Sequence, residues 1–240
     1  WVLAHVQAIA AEDTRVTRHL LARYEIAAPE HGLIAAHAHN EQAAAQRIVE
    51  LLAQGARVAL VTDAGTPAVS DPGARIVAAV RAAGHRVVPI PGPSSALAAL
   101  SVAGFVEGAF HFIGFLPTGG RERTRALSEA ALRGESFVCF EAPHRIADAL
   151  QALAAVLAPT RRVLVARELT KLYEDTCVVS AAELLRRGHC WFRGSRGRAG
   201  RGRPAVACGR RRLPGRGTRA IAVAIGAIEF VLQQLNLAFD

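Results

Sequence analysis

Short apolar runs alternate with longer stretches of helix-forming composition from about residue 6 to residue 185. Turn residues bound the apolar runs, which is typical of buried strands. The predicted strands are Val58–Thr62, Arg86–Ile90, Phe110–Phe115, Ser136–Glu141 and Arg162–Arg167. The predicted helices are Ala74–Ala83, Ser95–Ala103, Arg121–Arg133 and Arg145–Leu157. This alternation predicts an α/β fold with right-handed crossovers and a largely parallel sheet, at least in the first half.

The pattern changes after about Leu185. Residues 188–218 are dominated by Arg, Gly, Ala and Pro, and few of them could fill a core. Two interpretations stay open: a natural basic arm for RNA, or, the favoured one, a reading frame that has slipped in a GC-rich gene. Residues 220–239 are apolar but include Glu229 and Gln233, so we expect a short amphipathic helix there and no membrane span.

Charge is distributed unevenly along the 240 residues, whose formal net charge is +9. Residues 1–185 carry 17 basic and 18 acidic side chains, whereas residues 186–240 carry 12 arginines and two acids. The near-neutral body therefore gives no electrostatic reason to assign nucleic-acid binding to it. The four cysteines are widely spaced, which favours a reduced, cytoplasmic setting over disulfides or zinc. Because the chain begins at Trp1 inside an apolar stretch, we interpret it as a fragment.

Two rigid loops follow predicted strands, where α/β sheets bind their ligands. The segment Asp63–Gly73, DAGTPAVSDPG, has two Gly and two Pro, which hold a turn that ordinary residues could not make. Asp63 could accept hydrogen bonds from a ligand, and Asp71 could instead be a helix N-cap. Three prolines stiffen the second loop around Gly92, although Ser94 or Ser95 could simply cap the next helix.

Seven sequence blocks lie within about residues 6–185. They are AEDTR at 11–15, HAHNE at 37–41, DAGTPAVSDPG at 63–73, PGPSSALAALSVAG at 91–104, GFLP at 114–117, EAPHRI at 141–146 and RELTKLYED at 167–175. In order and spacing these blocks resemble the family that methylates a ribose 2′-oxygen of small-subunit ribosomal RNA, within the tetrapyrrole-methylase fold.

The resemblance implies two α/β domains, residues 1–116 and 117–240, with S-adenosylmethionine bound in the cleft between them. The first sheet is expected to be mostly parallel and the second mixed, with an aberrant or disordered end from about residue 186. The residues expected to line the cofactor are Asp63, Gly65, Thr66, Pro67, Pro91, Gly92, Ser94, Ala142, Pro143 and Thr170. The implied substrate is a cytidine of 16S ribosomal RNA in the small ribosomal subunit, and a homodimer is expected.

The chain departs from the family pattern in three places. The family opens with a strand and a Thr-Pro-Ile-Gly-Asn loop, and this chain starts after them. Ala38 stands where the family has Glu between two histidines. The final strands of the second domain cannot be recognised beyond Leu185.

Methyl transfer to a ribose hydroxyl needs an in-line arrangement and a group that takes the hydroxyl proton. The candidates for that acceptor or for a ribose clamp are Glu12, Asp13, His39, Glu41, Glu141, His144 and Glu168. Glu12 and Asp13 could instead belong to a capped helix start. His37, His39 and Glu41 resemble metal ligands, but no fourth ligand is in view, so no metal is predicted.

Arginine and lysine side chains are the candidates for RNA contacts. Arg15, Arg145 and Arg167 could hold RNA phosphates, although Arg145 and Arg167 could equally pair with Glu141 or Glu168. Lys171 is the only lysine among 29 basic residues, so we hypothesise that it contacts the reacting ribose or the cofactor carboxylate. The alternatives are a methylase of corrin or porphyrin precursors, a non-catalytic RNA-binding protein and an inactive fragment.

Overall fold

The computed structural model describes residues 1–186 and the strand at residues 220–225. The chain divides into two compact units. Their described parts are Trp1–Ser94 in the first and residues 95–186 with 220–225 in the second. This division falls earlier than the predicted boundary after Leu116. The reason is that Ala96, Ala99 and Ala103 pack into a core of the second unit, so the helix that carries them belongs there.

The first unit contains a three-stranded parallel sheet in the order β2 (Leu33–Ala35), β1 (Ala8–Ala11), β3 (Val58–Val61). Its helices are α1 (Thr14–Arg23), α2 (Glu41–Ala53) and α3 (Ala74–Ala82). Ala11 is in register with both Ala35 and Val61, so the carboxyl ends of the three strands lie at one edge. The loops after these strands therefore meet at that edge.

The core of the first unit is built from small and branched side chains. All four residues of β1 are fully buried because the strand is central and covered on both faces. Helices α2 and α3 contribute Ala44, Ala45, Ile48, Ile76 and Val80 to one cluster. The alanines bring the helix backbones close, and the branched side chains fill the remaining volume.

The predicted strand Arg86–Ile90 is wrong, since the structure has no regular secondary structure there. Val87 packs against the core, but Val88 and Ile90 are 55% and 53% exposed. An apolar run needs a neighbouring strand to satisfy its backbone N–H and C=O groups, and no described strand lies beside this one. The structure also contains elements that were not predicted in this unit, namely strands β1 and β2 and helices α1 and α2.

The second unit contains a five-stranded sheet. Its order is β4 (Phe110–Phe115), β5 (Ser136–Glu141), β8 (Ala220–Ile225), β6 (Arg162–Arg167), β7 (Asp175–Ser180). The first four strands of that order are parallel, and β7 runs antiparallel to β6, so the expected mixed sheet is confirmed. The helices are α4 (Ser95–Ala103), α5 (Gly120–Leu132) and α6 (Ile146–Val156).

Alternate residues of β5 and β6 enter two different cores, as the two-residue period of a strand requires. Phe137 and Val163 pack on the side of α5 and α6, where Leu127 and Leu153 are fully buried. Val138, Leu164 and Ala166 pack with the alanines of α4 on the other side. Each buried Leu or Phe contributes about 1.5–3 kcal/mol relative to an exposed one, so both faces stabilise the sheet.

The expectation of an amphipathic helix at 220–239 is wrong for residues 220–225. They form β8, which pairs in parallel with β5 on one side and β6 on the other. The gap between two strands offers hydrogen bonds on both edges, and an apolar, β-branched segment suits that position.

Residues 188–218 and 226–239 lie outside the described residues. No helix in the described part is both long and apolar enough to span a membrane.

Candidate functional site

Glu12, Thr62 and Asp63 form a hydrogen-bonded group at the carboxyl ends of β1 and β3. The Thr62 hydroxyl donates to Glu12 Oε2 at 2.6 Å, and the Asp63 backbone N–H donates to the same oxygen at 3.3 Å. In return, the backbone N–H of Asp13 donates to Asp63 Oδ1 at 3.2 Å. These reciprocal bonds join the residues that follow two neighbouring strands. Glu12 and Asp63 therefore lie together at the edge of the sheet where α/β proteins bind ligands.

Asp13 is the N-cap of α1, and this confirms the alternative of a capped helix start. Its carboxylate accepts the Arg15 backbone N–H at 2.8 Å and is 2.6 Å from the Arg15 guanidinium. These bonds, the side-chain one foremost, lower the pKa of Asp13 to about 2. Such a carboxylate is a poor proton acceptor at neutral pH. Among the acids of this group, Asp13 is therefore the least suited to that role.

Asp71 has a raised pKa, in contrast to Asp13, and it is not among the predicted site residues. Burial, followed by the negative charge of Glu12, raises its pKa to about 6, while a hydrogen bond with Thr62 opposes the shift. Burial also raises the pKa of Asp63. Asp71 is not the predicted helix cap, because α3 is capped at Gly73. A sequence gives no measure of how much water reaches a carboxyl group, so this shift could not be predicted.

The loop Asp63–Gly73 has an unusual backbone. Ala68 and Ser70 adopt positive φ angles of 68° and 64°, which cost energy in residues other than glycine. The Ala68 N–H donates to the Pro72 carbonyl at 3.1 Å inside the loop. The Thr66 hydroxyl donates to the Pro93 carbonyl at 3.1 Å, which connects the two rigid loops. A Cβ placed on Gly65 would meet no atom within 4 Å, so a ligand can approach that backbone.

The HAHNE block follows β2 at the same edge. Asn40 Oδ1 accepts the His37 backbone N–H at 2.8 Å, and Asn40 Nδ2 donates to the Ala35 carbonyl at 2.9 Å. The rings of His37 and His39 are 6.1 Å apart, and both residues are exposed. Glu41 is buried instead and accepts the backbone N–H of Gly73. The described residues contain no group of three or more side chains arranged to hold a metal ion.

In the second unit, the turn after β5 carries a buried ion pair. The Glu141 side chain is fully buried, and its Oε1 accepts from Arg145 Nε at 2.6 Å and from the Ala142 N–H at 2.7 Å. Arg145 also donates to the Leu116 carbonyl. Of the two interpretations of Arg145, the ion pair with Glu141 is the one observed. Pro143 and His144 are exposed in the same turn.

The loop between β6 and β7 carries the remaining candidates. Arg167 Nε lies 3.6 Å from Asp175, the residue opposite it in the hairpin. Glu168 and Thr170 have φ angles of 49° and 66°, and Lys171 Nζ lies 3.9 Å from Glu168 Oε2. Strained backbone of this kind is concentrated at functional sites.

Pairing with β8 places these two turns at one edge of the second sheet. Glu141 at the end of β5 and Arg167 at the end of β6 are both in register with Ile225. Ser95, the first residue of α4, has a buried Oγ with no hydrogen-bond partner among the described residues. The Ser95 side chain therefore does not cap the helix, and of the two serines proposed for that role only Ser94 stays a candidate.

The fold and the loops at the strand ends define a class of protein. The family model of the tetrapyrrole (corrin/porphyrin) methylases matches residues 2–185, and the chain belongs to that family. A solved structure of the methyltransferase CobJ is 25% identical, with a TM-score of 0.53 over 75% of this chain and 78% of that one. Cobalt precorrin-4 methyltransferase, 15% identical with a TM-score of 0.51 over 81% of both chains, shares the fold.

More similar sequences carry one name, ribosomal RNA small subunit methyltransferase I. The protein of that name from Xylella fastidiosa is 49% identical over 72% of this chain and 62% of its own length. The one from Vibrio cholerae is 45% identical over 77% of this chain and 63% of its own length. That from Bacillus subtilis is 44% identical over 72% and 58%, respectively. The chain thus matches about three fifths of the length of these relatives.

Proposed function

We propose that this chain is the greater part of an enzyme that methylates the 2′-oxygen of a cytidine in 16S ribosomal RNA, using S-adenosylmethionine. The observation that carries the proposal is the group formed by Glu12, Thr62 and Asp63 beside the Asp63–Gly73 loop. It stands at the carboxyl edge of a parallel sheet, where α/β proteins bind ligands. The relatives that share these blocks are named for ribosomal RNA methylation.

The residues around the first loop fit the proposed methyl donor. Space beside Gly65 leaves its backbone accessible, and Asp63 supplies a carboxylate for a ligand amino group or ribose hydroxyl. Thr66 holds the loop to Pro93 of the second loop, which keeps Pro91 and Gly92 near a fixed position. When bound, the donor supplies an activated methyl group on a sulfonium, so that no metal is needed.

The protein's own part in the chemistry is to orient the ribose and to accept its proton. Asp71 and Asp63 are the acids of the first unit whose pKa values are raised, and a base works best when its pKa is near the working pH. Glu12 orients both through Thr62 and the Asp63 backbone. His144 stays a candidate proton acceptor or ribose clamp, and Lys171 a proposed contact of the reacting ribose or the cofactor carboxylate. Arg15 and Arg167 stay proposed contacts of RNA phosphates.

The test is transfer of labelled methyl from S-adenosylmethionine to small ribosomal subunits that lack this modification. After alkaline hydrolysis, label in an alkali-stable dinucleotide identifies a 2′-O-methyl group, because this group blocks cleavage at its own linkage. We expect Asp63→Asn to reduce that label at least about tenfold, while Glu50→Gln on the exposed face of α2 leaves it unchanged. Label in a mononucleotide would instead indicate base methylation and contradict the proposed chemistry.

A methylase of corrin or porphyrin precursors is the second candidate, because the solved structures with the same fold include such an enzyme. It predicts labelling of a corrin or porphyrin precursor and none of ribosomal RNA.

A homodimer is proposed as the assembly, and its mass in solution can be measured by light scattering at several protein concentrations.

A further inference from the structure

Glu41 is a buried carboxylate that the chemistry proposed above does not use. It is the first residue of α2, and its side chain is only 10% exposed. Oε1 accepts the backbone N–H of Gly73, the N-cap of α3, and Oε2 lies 3.8 Å from Arg75 Nε. A charged carboxylate is rarely buried unless it is paired, and here the Gly73 N–H and Arg75 are its partners.

Gly73 is the last residue of the Asp63–Gly73 loop, and it is closely packed against β3 and the loop itself. A Cβ built on it would lie 3.1 Å from Leu60 Cδ2 and 3.4 Å from the Ala68 nitrogen. Its φ angle of 132° is one that side chains rarely permit. The bond from Glu41 therefore holds the loop end against β3 and against the loop's own strained residue Ala68.

The strain in the loop has to be balanced by contacts outside it. Ala68 and Ser70 both have positive φ angles, and such conformations persist only where the surroundings impose them. The contacts act at both ends: Asp63 is joined to Glu12, and Gly73 is joined to Glu41. Between these ends, Ala68 bonds to Pro72 and Thr66 bonds to Pro93.

We propose that Glu41 is a positioning residue, whose bond to Gly73 holds the Asp63–Gly73 loop in the conformation that binds the methyl donor. It acts through the loop and does not touch the reacting atoms. The proposal rests on the proposed function for the identity of the ligand, but the effect on the loop is independent of it. The buried clusters of α2 and α3 provide the rigid support for the bond.

Hydrogen exchange of the 240-residue protein tests the effect on the loop. In Glu41→Ala we expect the amides of residues 66–73 to exchange at least about tenfold faster, because the loop loses its hydrogen bond to Glu41. Glu41→Gln keeps an acceptor oxygen and should stay within about threefold of the unsubstituted protein. Glu50→Ala removes an exposed carboxylate from the same helix and serves as the matched control.

The peptide that contains β1 separates positioning from general stability. If Glu41→Ala accelerates exchange in the Ala8–Ala11 strand as much as in the loop, Glu41 merely supports the fold and the proposal is wrong. Unchanged exchange in residues 66–73 would also overturn it.

Calorimetric titration with S-adenosylmethionine tests the consequence for the ligand. We expect Glu41→Ala to raise the dissociation constant at least about tenfold and Glu41→Gln to restore it to within about threefold. Equal affinity in Glu41→Ala and the unsubstituted protein overturns the proposal. If the unsubstituted protein binds no donor, the proposed function fails, and the exchange in residues 66–73 still decides whether Glu41 holds the loop.

Discussion

The Thr62 hydroxyl donates to the Glu12 carboxylate at 2.6 Å, and this bond connects the carboxyl ends of two adjacent parallel strands. Glu12 follows β1, whereas Thr62 follows β3, and the two residues are 50 positions apart in the chain. Thr62 is 7% exposed, so water can hardly replace the bond. The two residues set the geometry of the carboxylates around them.

Thr62→Val removes this hydroxyl while keeping the shape of the side chain. Glu12 then loses a charge-assisted bond in a partly buried place, and we expect the free energy of unfolding to fall by about 1–3 kcal/mol. Urea denaturation measures the change. Thr176→Val on the exposed side of β7 is the control and should have an effect within about 0.5 kcal/mol. Equal effects of the two substitutions would show that the bond to Glu12 contributes nothing.

Asp71 makes stability depend on pH in a direction opposite to that of most acids. Its pKa rises from 3.8 to about 6 on folding, so the folded state keeps a proton that the unfolded state releases. The free energy of unfolding therefore falls as pH rises through that interval and levels off above it. Because the group is partly exposed, we expect a loss of about 1 kcal/mol.

Asp71→Asn should remove this pH dependence. Urea denaturation of both proteins between pH 4 and pH 7 gives the difference, which we expect to change mainly over the interval between the two pKa values, 3.8 and about 6. Glu50→Gln, on the exposed face of α2, controls for the general effect of removing a carboxylate. A constant difference between the unsubstituted and Asp71→Asn proteins would contradict the raised pKa.

Removal of Arg145 leaves the buried carboxylate of Glu141 without its cation. We expect Arg145→Met to lower the free energy of unfolding by about 3–5 kcal/mol, because a buried unpaired charge is costly. The double substitution Arg145→Met with Glu141→Leu should recover most of that loss. Thermal denaturation of the single and double variants measures the coupling. If Arg145 serves RNA instead, Arg145→Met leaves stability unchanged and weakens binding to ribosomal RNA.

Gly73→Ala introduces a Cβ only 3.1 Å from Leu60 Cδ2, at a φ of 132° where side chains are strained. We expect a loss of about 2–4 kcal/mol in the free energy of unfolding. Gly120→Ala at the start of α5 meets no atom within 4 Å and should be neutral or stabilising by up to about 1 kcal/mol. Chemical denaturation of the two variants compares them directly, and similar values would refute the crowding at Gly73.

Local pattern predicted much of the second unit. Helix α4 and strands β4, β5 and β6 have the bounds expected from their composition. Strands β5 and β6 bury nearly all of their apolar residues, whereas β4 and α4 bury only part of theirs. Arg86–Ile90 has the same apolar character and is not a strand, since strand formation also requires a neighbour. The need for neighbours also explains why residues 220–225 were predicted as part of a helix. They form strand β8 because they pair with β5 and β6, and the local sequence does not indicate that pairing.

Residue types, their order and their spacing are enough to identify the family and the α/β class and to locate the Asp63–Gly73 loop at the end of a strand. The loop around Gly92 was expected at a strand end as well, but Arg86–Ile90 before it is not a strand. Which carboxylates lie together, and how their pKa values shift, depends on how the chain packs around each of them. Asp13 and Asp71 are the same chemical group, yet an adjacent guanidinium lowers the pKa of one and burial raises that of the other. Glu41 and Gly73 are 32 positions apart, and their contact depends on how helices and strands pack. Local sequence patterns do not predict such a contact.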